Sequence, residues 1–267
     1  MLDKKTILVT FTLFFALSAL VYLTGFGGGF DGLVGNFLYL FPSAIAALCG
    51  WYASRKYGIN NIHGKSTLFL TVGIAFLSLG EIHWVLFDFF LNIDPYPSIA
   101  DAFYLLSYPF IFIGLFQEIK VARIDWTKKS ILDSILFLVV IGSAITYFNI
   151  IPAYNGEEPF INNFVAILYG LGDLVILSAI IFIVNFMNKY QGGKLFYSWC
   201  FIFFGFLFIL IADTLWNIFR EGYEEKIWIY KQIDLLWMLA YLLIAYGLFD
   251  IGNLITTIQK KIANKLS

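Results

Sequence analysis

The residues of this chain that could do chemistry are carboxylates set inside apolar runs, each with aromatic rings at helical spacing. Glu81, Trp84 and Asp88 fall at i, i+3 and i+7, so a helix presents them on one face. About 133 residues later Asp213, Trp216 and Arg220 follow the same spacing. A second triple, Asp101, Tyr104 and Tyr108, is matched by Asp234, Trp237 and Tyr241. A carboxylate inside a membrane-crossing segment costs a few kcal/mol, about 2.5–3.5 on insertion scales, and usually faces a bundle interior or a water-filled cavity. The chemistry that fits is binding of a ligand or cation in an acidic, aromatic-lined pocket, and these ten residues other than Asp88 and Arg220 are its candidate lining. No Gly-rich phosphate loop, nucleophile elbow or nucleic-acid pattern is present, so no catalytic residue and no cofactor is assigned. His83 is set about 200° around the helix from Glu81, and His63 falls in a different loop, so no metal or haem pair is expected.

Each acid also has a structural reading. Ser98-x-x-Asp101 fits a capping box, with Ser98 as N-cap and Asp101 at N3. The counterpart of Ser98 is Lys231, a poor cap, yet the acid recurs as Asp234, which favours a bond across the bundle. Glu81 and Asp213 have no capping role; they serve either a site or buried hydrogen bonds that fix packing. Asp88 and Arg220 occupy matching positions with opposite charge, and are expected to form a structural ion pair. Asp173 is a further candidate without a counterpart in the first half.

The elements that must position these residues follow from composition. The 267 residues are 60% hydrophobic, 20% aromatic and 13% charged, far from the quarter charged of a soluble domain. Apolar runs of about 20 residues, the length of one crossing, recur throughout. Eight spans are expected, near 6–24, 35–54, 66–91, 98–118, 130–150, 161–187, 196–219 and 229–250, with breakers such as Gly27-Gly28-Gly29, Pro95/Pro97 and Gly192-Gly193 between them. The first span is read as a retained helix rather than a cleaved leader. Pro109 and Pro42 should bend the fourth and second spans. Cys49 and Cys200 lie in apolar runs and read as small buried hydrophobes.

Of the 17 Lys and Arg, 14 fall on one side of such a topology, and only Arg220, Lys226 and Lys231 on the other, beside Glu157, Glu158, Glu221, Glu224 and Glu225. By the positive-inside rule both termini are cytoplasmic in a multi-pass cell-membrane protein. Four spans per copy give both copies the same orientation, a 4+4 parallel tandem repeat: 1–125, then 126–252, in one membrane domain. Tyr39/Tyr169 and Tyr57/Tyr190 are the only likeness between spans 1–2 and 5–6. Depth counting puts the four repeated acids in the outer half, around a cavity open to the outside and duplicated across the pseudo-axis. Residues 253–267 form a basic amphipathic tail, expected as a short helix on the cytoplasmic headgroups.

The run Pro95-Tyr96-Pro97-Ser98-x-Ala100-Asp101, with Tyr104-Leu105, Tyr108-Pro109 and Gly114-Leu115, resembles the multi-span sensory module found N-terminal to diguanylate cyclase and phosphodiesterase domains. Gly80-Glu81 and Trp84 match that family's preceding helix, with Glu in place of Asp. The resemblance covers about 37 residues and implies a sensory role. No output domain follows, so a separate cytoplasmic output protein would be needed. A small secondary transporter or cation-coupled permease, a scaffold subunit and an intramembrane lipid hydrolase are the other classes consistent with this pattern.

Overall fold

The structure is a computed structural model that describes residues 3–121, 128–154, 156–157, 159–189 and 194–266. Among these, the regular secondary structure is helical throughout. The long helices are α1 (Lys4–Thr24), α2 (Leu33–Tyr57), α3 (Ile62–Val85), α4 (Ile99–Val121), α5 (Lys128–Ile145), α6 (Phe160–Lys189), α7 (Lys194–Ile218) and α8 (Asp234–Leu266). Two short helices, Arg220–Glu224 and Trp228–Lys231, lie between α7 and α8. Arg123, Glu158, Tyr190, Gly192 and Gly193, and the side chains of Lys129, Lys189, Lys260, Lys261 and Lys265, lie outside what is described.

The breakers act where their backbone chemistry is needed. Gly25, Gly27, Gly28 and Gly29 take positive φ, which lets the chain reverse between α1 and α2 at no Cβ cost. Asn61 caps α3 by accepting the His63 N–H. His63 therefore sits in the first turn of α3 rather than in a loop, where its Nδ1 meets Glu118 Oε2 at 2.9 Å. α3 ends in a π-helical turn, Leu86–Leu91, closed by Asn92 in the left-handed region.

Seven helices among the described residues are long and apolar enough to cross a membrane. Their outward faces remain oily: Leu13 is 65% and Leu48 67% exposed, as a lipid-facing surface requires. This is a polytopic, all-helical membrane protein. The expected fifth span falls on α5 and its continuation through a π turn, Thr146–Ile150, to Ala153. Its fully described apolar stretch, Leu138–Ile150, is shorter than the other seven.

Six helices close a ring in the order α2, α3, α4, α6, α7, α8, each packed on the next and α8 returning to α2. α1 lies outside against α8, and α5 outside against α6. Close approaches in the ring need glycine. A Cβ on Gly73 would meet Ser107 and Ile111 of α4, and one on Gly205 would meet Ala240 and Ile244 of α8. Gly114 packs on Ser66 and Leu70, and Gly247 on Ser198 and Ile202.

The ring has a basic and an acidic end. Lys4 pairs with Asp250, which also accepts the Ser198 hydroxyl. At the opposite end Lys226 reaches Asp88 at 3.0 Å, and Trp228 Nε1 donates to the Tyr22 carbonyl of α1. α1 and α8 are thus antiparallel, with Lys4 and Asp250 together at the basic end. The separate tail helix expected from 253 is not formed. α8 runs unbroken for 33 residues, about 50 Å, past the ~30 Å of a bilayer core. The reason is packing: Gly252 lies on Tyr52 and Ala53 of α2, and Asn253, Leu254 and Thr256 stay buried.

Candidate functional site

The acidic half of the ring encloses a cavity of about 90 Å³ in which the centre of a water molecule can move. That is room for roughly half a dozen waters. Each ring helix contributes to its wall. Glu81 and Trp84 come from α3; Asp101, Tyr104 and Tyr108 from α4; Asp213 and Trp216 from α7; Trp237 and Tyr241 from α8. Nine of the ten predicted lining residues therefore converge on one central chamber, not on a duplicated pair of cavities, because the acid-bearing faces of the two halves point at the same axis.

Glu81 is 3% exposed and held by hydroxyls. Tyr104 Oη donates to Oε2 at 3.0 Å and Tyr241 Oη to Oε1 at 2.7 Å, while Tyr39 of α2 lines the same chamber. Across the ring Trp237 Nε1 donates to Asp213 Oδ1 at 2.8 Å. Tyr108 Oη donates to Asp173 Oδ1 at 2.8 Å. The Asp173 (α6) carboxyl lies near that of Asp213, and its Oδ2 has no hydrogen-bond partner in the protein.

Asp101 does two jobs. Its Oδ2 accepts the Ser98 N–H at 2.6 Å, the reciprocal half of a capping box. Its Oδ1 accepts Tyr169 Oη of α6, also at 2.6 Å. Asp234 is the predicted residue that does not line the chamber. It is withdrawn behind Tyr223, whose hydroxyl donates to it at 2.5 Å, and it takes a second bond from Tyr22 of α1. The physical reason is its place at the first residue of α8, beside the short helices that carry Tyr223.

The expected pairing of Asp88 with Arg220 gives way to different partners. Asp88 pairs with Lys226 at 3.0 Å and Lys231 at 3.8 Å. Arg220 Nε meets Glu224 at 2.6 Å, and its guanidinium lies 4.5 Å from the Tyr96 ring centre and 5.5 Å from that of Trp216. The i, i+3, i+7 face assumed two uninterrupted helices. In the structure Asp88 sits on the π turn after α3, which rotates it off the Glu81/Trp84 face, and Arg220 starts a new helix beyond the end of α7.

Asp88 instead lines a second cavity of about 270 Å³ at the acidic end, with Asp94, Glu224, Lys226 and Lys231. Trp84 and Tyr223 line both cavities, so the two spaces adjoin at these aromatic rings.

Sequence reasoning missed several wall residues. Tyr39 and Tyr169 had a signal, their matched positions in the second and sixth spans. Tyr96, whose hydroxyl donates to the Asn162 carbonyl, stood in the Pro95–Asp101 run without being read as a wall residue, and Asn217, which donates to Asn149 of the α5 extension, had no signal. Gly80 and Gly172 seat the site: a Cβ on either would overlap the Tyr104 or Tyr108 ring.

Chemically the chamber offers carboxylates, hydroxyls and ring faces in a space shielded from the apolar exterior. Among the described residues no three His, Cys, Asp or Glu converge as a metal centre would require. One donor is left over: Trp216 Nε1 is buried with no acceptor in the protein. No protein-family model, curated protein or solved structure matches this chain.

Proposed function

We propose that this is a sensory membrane module that binds a small molecule in the central chamber. The observation that carries the reading is the chamber itself: acids and aromatic rings from six helices, wet enough to hold a guest, adjoining a charged outer cavity. A purely structural set of buried acids needs no such space. The resemblance of Pro95–Asp101 and Tyr104–Gly114 to sensory modules points the same way. So does α8, which carries Trp237 and Tyr241 in the chamber wall and runs unbroken to the far end, where an output protein could read its displacement.

In this reading the acidic end faces outward and the basic end the cytoplasm, with eight spans arranged as four plus four. The ring order supports the repeat, since the neighbours of α2, α3 and α4 are repeated as those of α6, α7 and α8. The glycine contacts of Gly73 and Gly205, and of Gly114 and Gly247, follow the same correspondence. The test is thermal stability of the purified protein against amines, metals and quinones. Wild type should be stabilised by at least one class, and the Glu81→Gln/Asp213→Asn double variant should lose that response. An identical response of both to every compound would refute the receptor.

The neighbouring carboxyls of Asp173 and Asp213 favour a second reading, a proton-coupled transporter. Parallel repeats with intramembrane acids are a transporter pattern. Flux into reconstituted vesicles driven by a pH gradient, abolished by Asp213→Asn, would establish it. Its absence for amines, amino acids and metals would leave the receptor.

A further inference from the structure

Resting on the receptor reading, we propose that the guest is a small organic cation bearing a neutral hydrogen-bond acceptor, of the choline type, held against aromatic faces with its hydroxyl oxygen on Trp216 Nε1. The chamber wall already shows how it treats a cation. The Arg220 guanidinium lies over Tyr96 and Trp216 at distances within the roughly 6 Å at which ring quadrupoles attract positive charge. Trp84 meets Trp216 edge-on at 6.1 Å, and Tyr96 meets it at 5.2 Å, so the three rings form a corner rather than a flat wall.

Charge points the same way. Glu81, Asp101 and Asp213 line the chamber, with no Lys or Arg among the lining residues. The cations at the rim, Arg220 and Lys231, already pair with Glu224 and Asp88, which leaves room for a further positive charge. A hard metal cation is a poor match, because it demands six or more oxygens at short range. Here the carboxylate oxygens are already engaged by tyrosine hydroxyls and the Trp237 indole. A methylated ammonium needs no such ligands, only ring faces and nearby negative charge.

The acceptor follows from Trp216. It is 8% exposed, lines the chamber, and its indole N–H has no protein partner. A buried donor in this state is a standing cost that an acceptor on the guest would remove.

Full-length protein in nanodiscs is titrated with three probes while tryptophan fluorescence is followed. These are choline; 3,3-dimethylbutan-1-ol, which has the same shape with a carbon for the nitrogen; and tetramethylammonium, which lacks the acceptor. Choline should bind at least about tenfold tighter than dimethylbutanol, and several-fold tighter than tetramethylammonium. Trp216→Phe keeps an aromatic face and removes the N–H. It should bring choline affinity down to the tetramethylammonium level, weaken tetramethylammonium much less and leave thermal stability intact. Equal binding of choline and its carbon isostere, or a Trp216→Phe effect equal for both cations, would overturn the proposal. Stabilisation by a neutral compound that depends on Glu81, with none by the cations, would overturn the ligand class and leave the receptor standing. No response to any compound would remove both.

Discussion

Tyr241→Phe isolates one interaction on which the chamber depends. The hydroxyl donates to Glu81 Oε1 at 2.7 Å, with Tyr241 2% and Glu81 3% exposed, so water cannot replace it cheaply. Phe keeps the ring and its packing, and therefore opens almost no void. In a soluble protein a hydrogen bond to a charged group contributes about 1.5–3 kcal/mol. Inside a bilayer the unfolded chain also finds partners, and measured side-chain bonds average nearer 0.6 with a maximum near 1.7 kcal/mol. Glu81 retains the Tyr104 hydroxyl after the change, which further softens the loss. The expected destabilisation is about 1–1.5 kcal/mol, read from reversible SDS unfolding in mixed micelles. α3 and α8 are not neighbours in the ring, so this bond ties elements that otherwise meet only across the chamber. A cycle with Glu81→Gln separates the bond from general packing: the double variant should cost about 1 kcal/mol less than the two single losses added together. Strict additivity, or a neutral Tyr241→Phe, would mean that the hydroxyl and the carboxyl are not joined and that the chamber wall is misdrawn.

Asp173 makes a contrasting case. Asp173→Asn keeps an acceptor for the Tyr108 hydroxyl and should unfold within about 0.5 kcal/mol of wild type, whereas Asp173→Ala strands that buried hydroxyl and should cost about 1–3 kcal/mol. Thermal unfolding of the two purified variants checks the order. Gly73→Leu and Gly205→Leu each push a side chain into the facing helix, and each should cost about 1–3 kcal/mol by SDS titration; tolerance of either would argue against the close α3–α4 or α7–α8 approach. Orientation is tested by single cysteines in a chain whose Cys49 and Cys200 are replaced by Ala. Lys226→Cys should react with an impermeant thiol reagent added outside intact cells, and Lys65→Cys only after lysis. The reverse pattern would invert the topology.

Much of this arrangement was readable from residue spacing. The acids with an aromatic three residues on stand on one helix face whatever the tertiary structure, which is why Glu81, Trp84, Asp213 and Trp216 reached the chamber. Ser98 and Asp101 are close in sequence, so their cap was local as well. What failed depended on departures from a straight helix. Asp88 moved because α3 closes in a π turn, and Arg220 because α7 stops before it. The amphipathic pattern after Asp250 is the same for a surface helix and for one packed along α2; only the fit of Gly252 on Tyr52 separates them. Which hydroxyl reaches which carboxyl is a property of the closed ring, and Tyr22 and Tyr169 find acids 212 and 68 residues away in the chain.

The central claim is that the acids border a space that the outside can reach. Asn217 lines that space behind the rings of Trp84 and Tyr223. In the chain lacking native cysteines, Asn217→Cys should react with a small, impermeant, positively charged thiol reagent applied to the outer face of intact cells, and Glu81→Gln/Asp213→Asn should slow that reaction. A cysteine at 217 that stays inert from outside, in a protein that still folds, would contradict the account.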